Sequence, residues 1–180
     1  MFWQSKKEDK EQRIQAQAWV AFEARHLKDL EKAFHLGASP NIASGSGLTL
    51  AQSCVQHQCY DLLPVLDQYQ ANWHHLLLDG SSCLHLSVET GQSLWVKAML
   101  ERGVEVNLEN KMNQTALHLA AKLGLSTMLV MLDQAGANWQ AKDRLQKTPL
   151  DILMQCHPHT GSAWRRRLAL RQEEKNEELS

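Results

Sequence analysis

Apolar residues run along this chain in short bursts at helical spacing, and the bursts themselves return every 33 residues. Leu117, Leu119, Ala120 and Leu123 mark one face of a helix, and Met128, Leu129, Met131 and Leu132 mark a second helix soon after it. A hydroxyl precedes each first burst, at Thr49, Ser82, Thr115 and Thr148, where its oxygen can accept from an amide one turn ahead and start a helix. Pro149 follows the last of them and is suited to a first helical position. Gly91 and Gly124 then close first helices, and Gly103 and Gly136 close second ones. Ala137 to Lys142 read as an extended link that ends in a turn before the next cap. Each unit is therefore helix, turn, helix, finger.

Such helices sit near or below the ~12 residues that an isolated helix needs to be even marginal in water. No unit can hide its apolar face alone, so neighbours must stack, and the core becomes continuous along the pile. The pattern predicts an all-α solenoid of about five helix-turn-helix units with short extended fingers. These units lie at 13–43, 44–76, 77–109, 110–142 and 143–172. Residues 13–34 are expected to form an N-terminal cap and Gly161 to Gln172 a C-terminal cap helix. The charged ends, 1–12 and 173–180, are expected to be tails that fray. Two departures from the pattern carry consequences. Gln58 and Gln70 stand where the other units have glycine, so each either accepts a left-handed backbone or reshapes its turn. Pro64 is tolerable only in a first turn, which places the start of its helix near Asp61.

The run Thr115-Ala116-Leu117-His118-Leu119-Ala120-Ala121, followed by Gly124 and by Gly136-Ala137-Asn138, resembles the ankyrin repeat. Ser82-Cys83-Leu84-His85-Leu86 with Gly91 and Gly103 is similar to another copy, and Asp143 with Thr148-Pro149-Leu150-Asp151 to the start of a third. Thr49 to Trp73 resembles a degenerate copy, and Ala33 to Asn41 the tail of one. A 34-residue helical repeat fits less well, because it lacks the Thr-x-Leu-His element and these glycine offsets. The resemblance implies a structural hydrogen-bonding role for His85 and His118. It also implies a non-catalytic protein-binding module, an adaptor or scaffold, that works through finger tips and a concave face.

Composition narrows the alternatives. The 19 basic and 20 acidic residues nearly cancel, which argues against a protein that coats a polyanion. No apolar run reaches the ~18 residues of a membrane span, and Met1 to Arg13 lacks the apolar core of a secretory signal. No membrane association and a cytoplasmic location are therefore expected. The four cysteines, Cys54, Cys59, Cys83 and Cys156, show no framework spacing and read as reduced thiols.

Candidate chemistry is sparse. Cys54-His57-Cys59, Cys83-His85 and Cys156-His157-His159 lack the tight ligand pairs that zinc favours, so neither a metal nor another cofactor is expected. Nucleophile elbows, phosphate-binding loops and metalloprotease helices are absent, and no enzyme activity is expected. Trp164-Arg165-Arg166-Arg167 is the strongest basic cluster. It reads either as a nucleic-acid contact or, with greater weight, as a solvated helix face with Trp164 packed on the preceding unit. Trp73 and Trp139 share one register position and read as packing at the base of the fingers.

Family geometry maps the partner surface onto Leu78, Asp79 and Ser81, onto Lys111, Met112 and Gln114, and onto Arg144, Leu145 and Lys147, with Glu89, Lys122 and Leu123 from the first helices. Met112, Leu123 and Leu145 are apolar and ringed by Lys111, Lys122, Arg144 and Lys147, a composition that suits a protein partner with an acidic, partly apolar face. The chain is expected to be a monomer apart from that partner. An inhibitor or immunity-type protein that blocks a toxin or enzyme in a stoichiometric complex fits the same sequence.

Overall fold

The computed structural model describes residues 2–178; Met1, Leu179 and Ser180 lie outside the described residues. Ten α-helices and no strand are found among them. The chain divides into two compact units, one up to Leu78 and one from Asp79 onward.

The first unit holds α1 (Phe2–Glu23), α2 (Leu27–His35), α3 (Leu50–Gln56), a 3-10 turn (Tyr60–Leu62) and α4 (Leu63–Gln68). Helix α2 is strongly amphipathic and buries Leu30, Ala33 and Phe34. Phe34 packs on Tyr69 at 4.7 Å between ring centres, and the Tyr69 hydroxyl hydrogen-bonds His35 Nε2 at 3.0 Å. Pro64 falls in the first turn of α4, after the 3-10 turn, where its missing N–H costs nothing. Both glutamines take the left-handed option: Gln58 has φ 56° and Gln70 φ 58°. Arg25, one repeat before Gln58, does the same at φ 54°.

The second unit holds α5 (Cys83–Glu89), α6 (Ser93–Glu101), α7 (Ala116–Leu123), α8 (Ser126–Gln134), α9 (Pro149–Cys156) and α10 (Pro158–Glu178). Helix α7 packs between α5 and α9, while α6 lies against α8. The core includes Leu84, Leu117 and Leu153 from the first helices and Met99, Leu129 and Leu132 from the second, all fully buried. Two expectations at the ends need correcting. The charged N-terminal segment is helical from Phe2, and the C-terminal cap helix starts at Pro158, before Gly161, and runs on to Glu178 without a break at residue 173. The cause at the N-terminal end is sequence: between Phe2 and Glu23 there is neither proline nor glycine to stop a helix. At the other end Pro158 is itself a good first residue, and Gly161 is buried against Met154, which leaves it inside the helix.

One interaction recurs at every first helix. The backbone N–H of Thr49, Ser82, Thr115 and Thr148 donates to the side chain three residues on: Gln52 Oε1 at 2.9 Å, His85 Nδ1 at 3.2 Å, His118 Nδ1 at 3.1 Å and Asp151 Oδ2 at 2.9 Å. Because Nδ1 accepts, each imidazole carries its proton on Nε2. That proton goes to the next finger, from His85 to the Gln114 carbonyl at 2.9 Å and from His118 to the Lys147 carbonyl at 3.2 Å. Gln52 reproduces the pattern with an amide, its Nε2 donating to the His75 carbonyl at 3.0 Å. The imidazole is thus a neutral bridge between a helix start and the finger that follows. Burial holds the pKa of both His85 and His118 below the ordinary histidine value.

The C-terminal end of the second unit is held by a charged knot. Asp133, with a side chain 1% exposed, accepts from Trp139 Nε1 at 2.9 Å and from both guanidinium nitrogens of Arg171 at 2.9 and 2.7 Å. Arg167 Nη2 approaches the same carboxylate to 3.5 Å. Trp164 stacks on Trp139 at 4.7 Å, and the Arg167 guanidinium lies 4.8 Å from the Trp164 ring centre. The arginine hydrogen bonds, ahead of the tryptophan bond and despite burial, keep the Asp133 carboxyl below the usual aspartate value. Trp73 in the first unit donates to Asp67 at 2.8 Å with the same six-residue offset. Trp164 and Arg167 are therefore packing elements; Arg165 and Arg166 stay exposed.

Candidate partner-binding surface

The fingers of the second unit are hairpins built by their own first residue. Asn110 N–H donates to the Gln114 carbonyl at 3.0 Å, and Asp143 N–H to the Lys147 carbonyl at 3.0 Å. Asn110 Oδ1 accepts from Met112 N and Gln114 N, and Asp143 Oδ1 from Leu145 N and Lys147 N, all within 3.0 Å. The side chain thus fixes the turn from inside. Asn113 (φ 55°) and Gln146 (φ 61°) supply the left-handed residue that Gly80 supplies one repeat earlier. Neighbouring fingers join through backbone bonds, Lys111 N to the Asp79 carbonyl at 2.8 Å and Arg144 N to the Met112 carbonyl at 3.1 Å. The tips are therefore held side by side by main-chain bonding.

What the tips present is largely free of that framework. Met112 is 50% exposed, Leu145 72% and Leu123, at the end of α7, 47%. Met112 and Leu145 occupy the same register position one repeat apart, so the row is a property of the stack. Lys111, Lys122 and Arg144 are exposed around it. Lys147 is half-buried and its Nζ donates to Gln155 Oε1 at 2.6 Å, which turns its charge toward α9. Glu89 is exposed; partial burial and the nearby Asp79 charge raise its pKa, and Lys122 opposes them. Burial works against the Asp79 carboxylate, but the bonds from Ser81 outweigh it and leave its pKa below the ordinary value. In the first unit Leu78 is 85% exposed.

Ser81 departs from the expected surface. It is 3% exposed, its N–H donates to Asp79 Oδ1 and its hydroxyl to Asp79 Oδ2, both at 2.9 Å. It shapes the tip from within and is not available to a partner. Gln114 is half-buried, with its main chain committed to Asn110 and His85. No group of three or more His, Cys, Asp or Glu side chains placed to hold a metal ion occurs among the described residues. Cys54 Sγ donates to the Cys59 carbonyl at 2.9 Å, and burial pushes the Cys83 thiol up to about 12. No helix of the described residues is long and apolar enough to cross a membrane.

Comparison with known proteins bears on this geometry. A family model described as ankyrin repeats, in three copies, matches residues 43–143. The potassium channel SKOR of Arabidopsis thaliana is 38% identical over 69 residues, which is 38% of this chain and 8% of the channel. Protein PhlB of Serratia liquefaciens is 30% identical over 119 residues, 66% of this chain and 51% of PhlB. The probable 26S proteasome regulatory subunit p28 of Saccharomyces cerevisiae is 36% identical over 74 residues, 39% of this chain and 32% of p28. This chain therefore spans about half of PhlB and a smaller share of the other two.

Proposed function

The chain belongs to the ankyrin repeat family, and we propose that it acts as a non-catalytic adaptor or scaffold. In this reading it binds a protein partner through the finger tips and the exposed ends of the first helices in its second unit. The observation that carries the reading is the row of Met112 and Leu145 with Leu123 beside it, set among Lys111, Lys122 and Arg144. Apolar side chains on rigid, side-by-side turns cost little conformational entropy on binding, and each contributes about 1.5–3 kcal/mol if fully covered. The cations around them favour a partner whose face is acidic at its rim and apolar at its centre. The first helices add a positive residue at Lys122 and a negative one at Glu89, enough to set register without a strong overall field. A relative named as a proteasome regulatory subunit is itself one part of an assembly, in keeping with this role.

The test is charge reversal at Lys111, Lys122 and Arg144. Lys147 is spared because its bond to Gln155 gives it a role inside the fold. Proteins captured from lysate by the wild-type chain are identified, and the affinity of each is measured against the triple variant. A loss of tenfold or more, with thermal stability unchanged, is the expected result. Equal affinity for every captured protein removes this surface as the site.

A further inference from the structure

We infer that the finger-tip row of one copy docks the C-terminal half of α10 from a second copy of this chain, so that the protein associates with itself. The inference rests on the reading of the tips as a protein-binding surface and names an occupant for it.

The tips call for a face that is apolar at its centre and acidic at its rim. The chain itself carries such a face. Leu170, Glu173, Glu174 and Glu177 stand at i, i+3, i+4 and i+7 along α10, a spacing that sets them on one side of the helix. Leu170 is 59% exposed, and the three glutamates are exposed as well. Another side of α10 is already in use: Trp164 stacks on Trp139, and Arg171 bonds Asp133. From residue 172 onward the sequence has four glutamates against one lysine. Arg166, one turn before Leu170, is the cation on this side, while Asp79 and Glu89 are the anions of the tip surface. The two patches thus have apolar centres and opposite majority charges.

A second observation points the same way. Glu177 lies in the last turn of α10, with Glu173 and Glu174 one turn earlier. Aligned peptide dipoles already place partial negative charge at that end, so carboxylates there are disfavoured. Cations brought by another surface relieve them. Within one copy the two patches do not cover each other, because Leu145 and Leu170 are both exposed in the same compact unit. Pairing tip with tip sets cations against cations, and pairing helix with helix sets glutamates against glutamates, both of which oppose association. The favoured contact is tip to helix. Used twice about a twofold axis it closes a dimer, and used once per copy it builds a chain.

The experiment is sedimentation equilibrium of the full chain from about 10 µM to about 1 mM, the range in which small contacts dissociate. The expected result is a mean mass that rises above 20.4 kDa with concentration. The association constant is expected to fall at least about fivefold between about 50 and about 500 mM sodium chloride. A tip variant (Lys111→Glu, Lys122→Glu, Arg144→Glu) and a helix variant (Glu173→Lys, Glu177→Lys) are each expected to associate at least about tenfold more weakly. Glu174 is kept because its charge supports the Arg171 guanidinium that holds α10. Mixing the two variants sets the intact tips of one against the intact α10 of the other and is expected to restore the mass, which misfolded variants cannot do. The helix variant keeps its tips, so its affinity for captured proteins is expected to match the wild type. A wild-type mass of 20.4 kDa throughout, a helix variant that associates as the wild type does, or a mixture no heavier than its components would overturn the proposal. A monomeric wild type whose captured partners are still lost by the tip variant overturns self-association alone and leaves the adaptor reading standing.

Discussion

Replacing Asp133 by alanine tests the knot that ties α10 to α8, and its size can be worked from the contacts. The carboxylate is the acceptor for the Trp139 indole N–H, and Trp139 is 6% exposed. Without it the N–H is left buried and unpartnered, a cost of about 1–3 kcal/mol. The two bonds from Arg171 are also lost, but that side chain is 41% exposed and water can take over its donors, so ~1 kcal/mol or less is added. The sum is about 1–4 kcal/mol, read as a lower urea midpoint by tryptophan fluorescence, with Trp139 and Trp164 as reporters. Asp133→Asn keeps an acceptor for the indole and is expected to cost about 1 kcal/mol, the loss of the charged partner for Arg171. The decisive control is Trp139→Phe, which removes the donor. In that background Asp133→Ala is expected to cost ~1–2 kcal/mol less than in the wild type, a coupling that a double-mutant cycle isolates. Additive single costs, or equal costs for the alanine and asparagine variants, would show that the indole bond contributes nothing and refute the reasoning.

Three further outcomes are expected. The folded state holds His85 and His118 neutral with pKa below 6.5, so the unfolded chain binds more protons as pH falls. Stability is complete above about pH 6.5 and erodes below it, by up to ~1.4 kcal/mol per pH unit per histidine until the folded-state pKa is passed. His85→Gln with His118→Gln, which copies the bridge that Gln52 already makes, should flatten the difference between urea midpoints at pH 7.5 and 5.5; an unchanged slope would contradict it. Gly124→Ala should cost at least ~1 kcal/mol more than Gly91→Ala. Both have φ 68°, but an added methyl at 124 meets the His157 ring at 2.6 Å, whereas at 91 it meets nothing within 4 Å. The excess should vanish in a His157→Ala background, and its persistence there would exclude the ring as the cause. Gln70→Gly should raise stability by about 0.5 kcal/mol in urea melts, relief of a left-handed side chain outweighing the extra entropy of glycine; a clear loss would contradict it.

Periodicity made most of the fold legible. The hydroxyl caps, the paired glycines and the first-turn place of Pro64 each follow from a local rule with one dominant cause. Less legible were features that depend on what lies opposite in space. Ser81 reads as a surface residue by register, yet Asp79 two residues before it draws both its donors inward. Arg25 gave no signal as a left-handed residue, because only its place one repeat before Gln58 identifies it. The Asp133 knot was half visible in the shared six-residue offset of Asp67 to Trp73 and Asp133 to Trp139, while Arg171 reaches it from 38 residues away. The exposed tip residues were legible because turns with side-chain-locked backbones leave their outward residues no other place to go.

The most direct measurement of the central claim is oxidative footprinting of the chain with and without a captured protein partner. Met112 lies on the tip row and is half exposed, while Met131, on a second helix, is a built-in reference. The account predicts that partner binding slows oxidation of Met112 and labelling of Leu145 together and leaves Met131 unchanged. Protection of Met131 with Met112 still freely oxidised would contradict it.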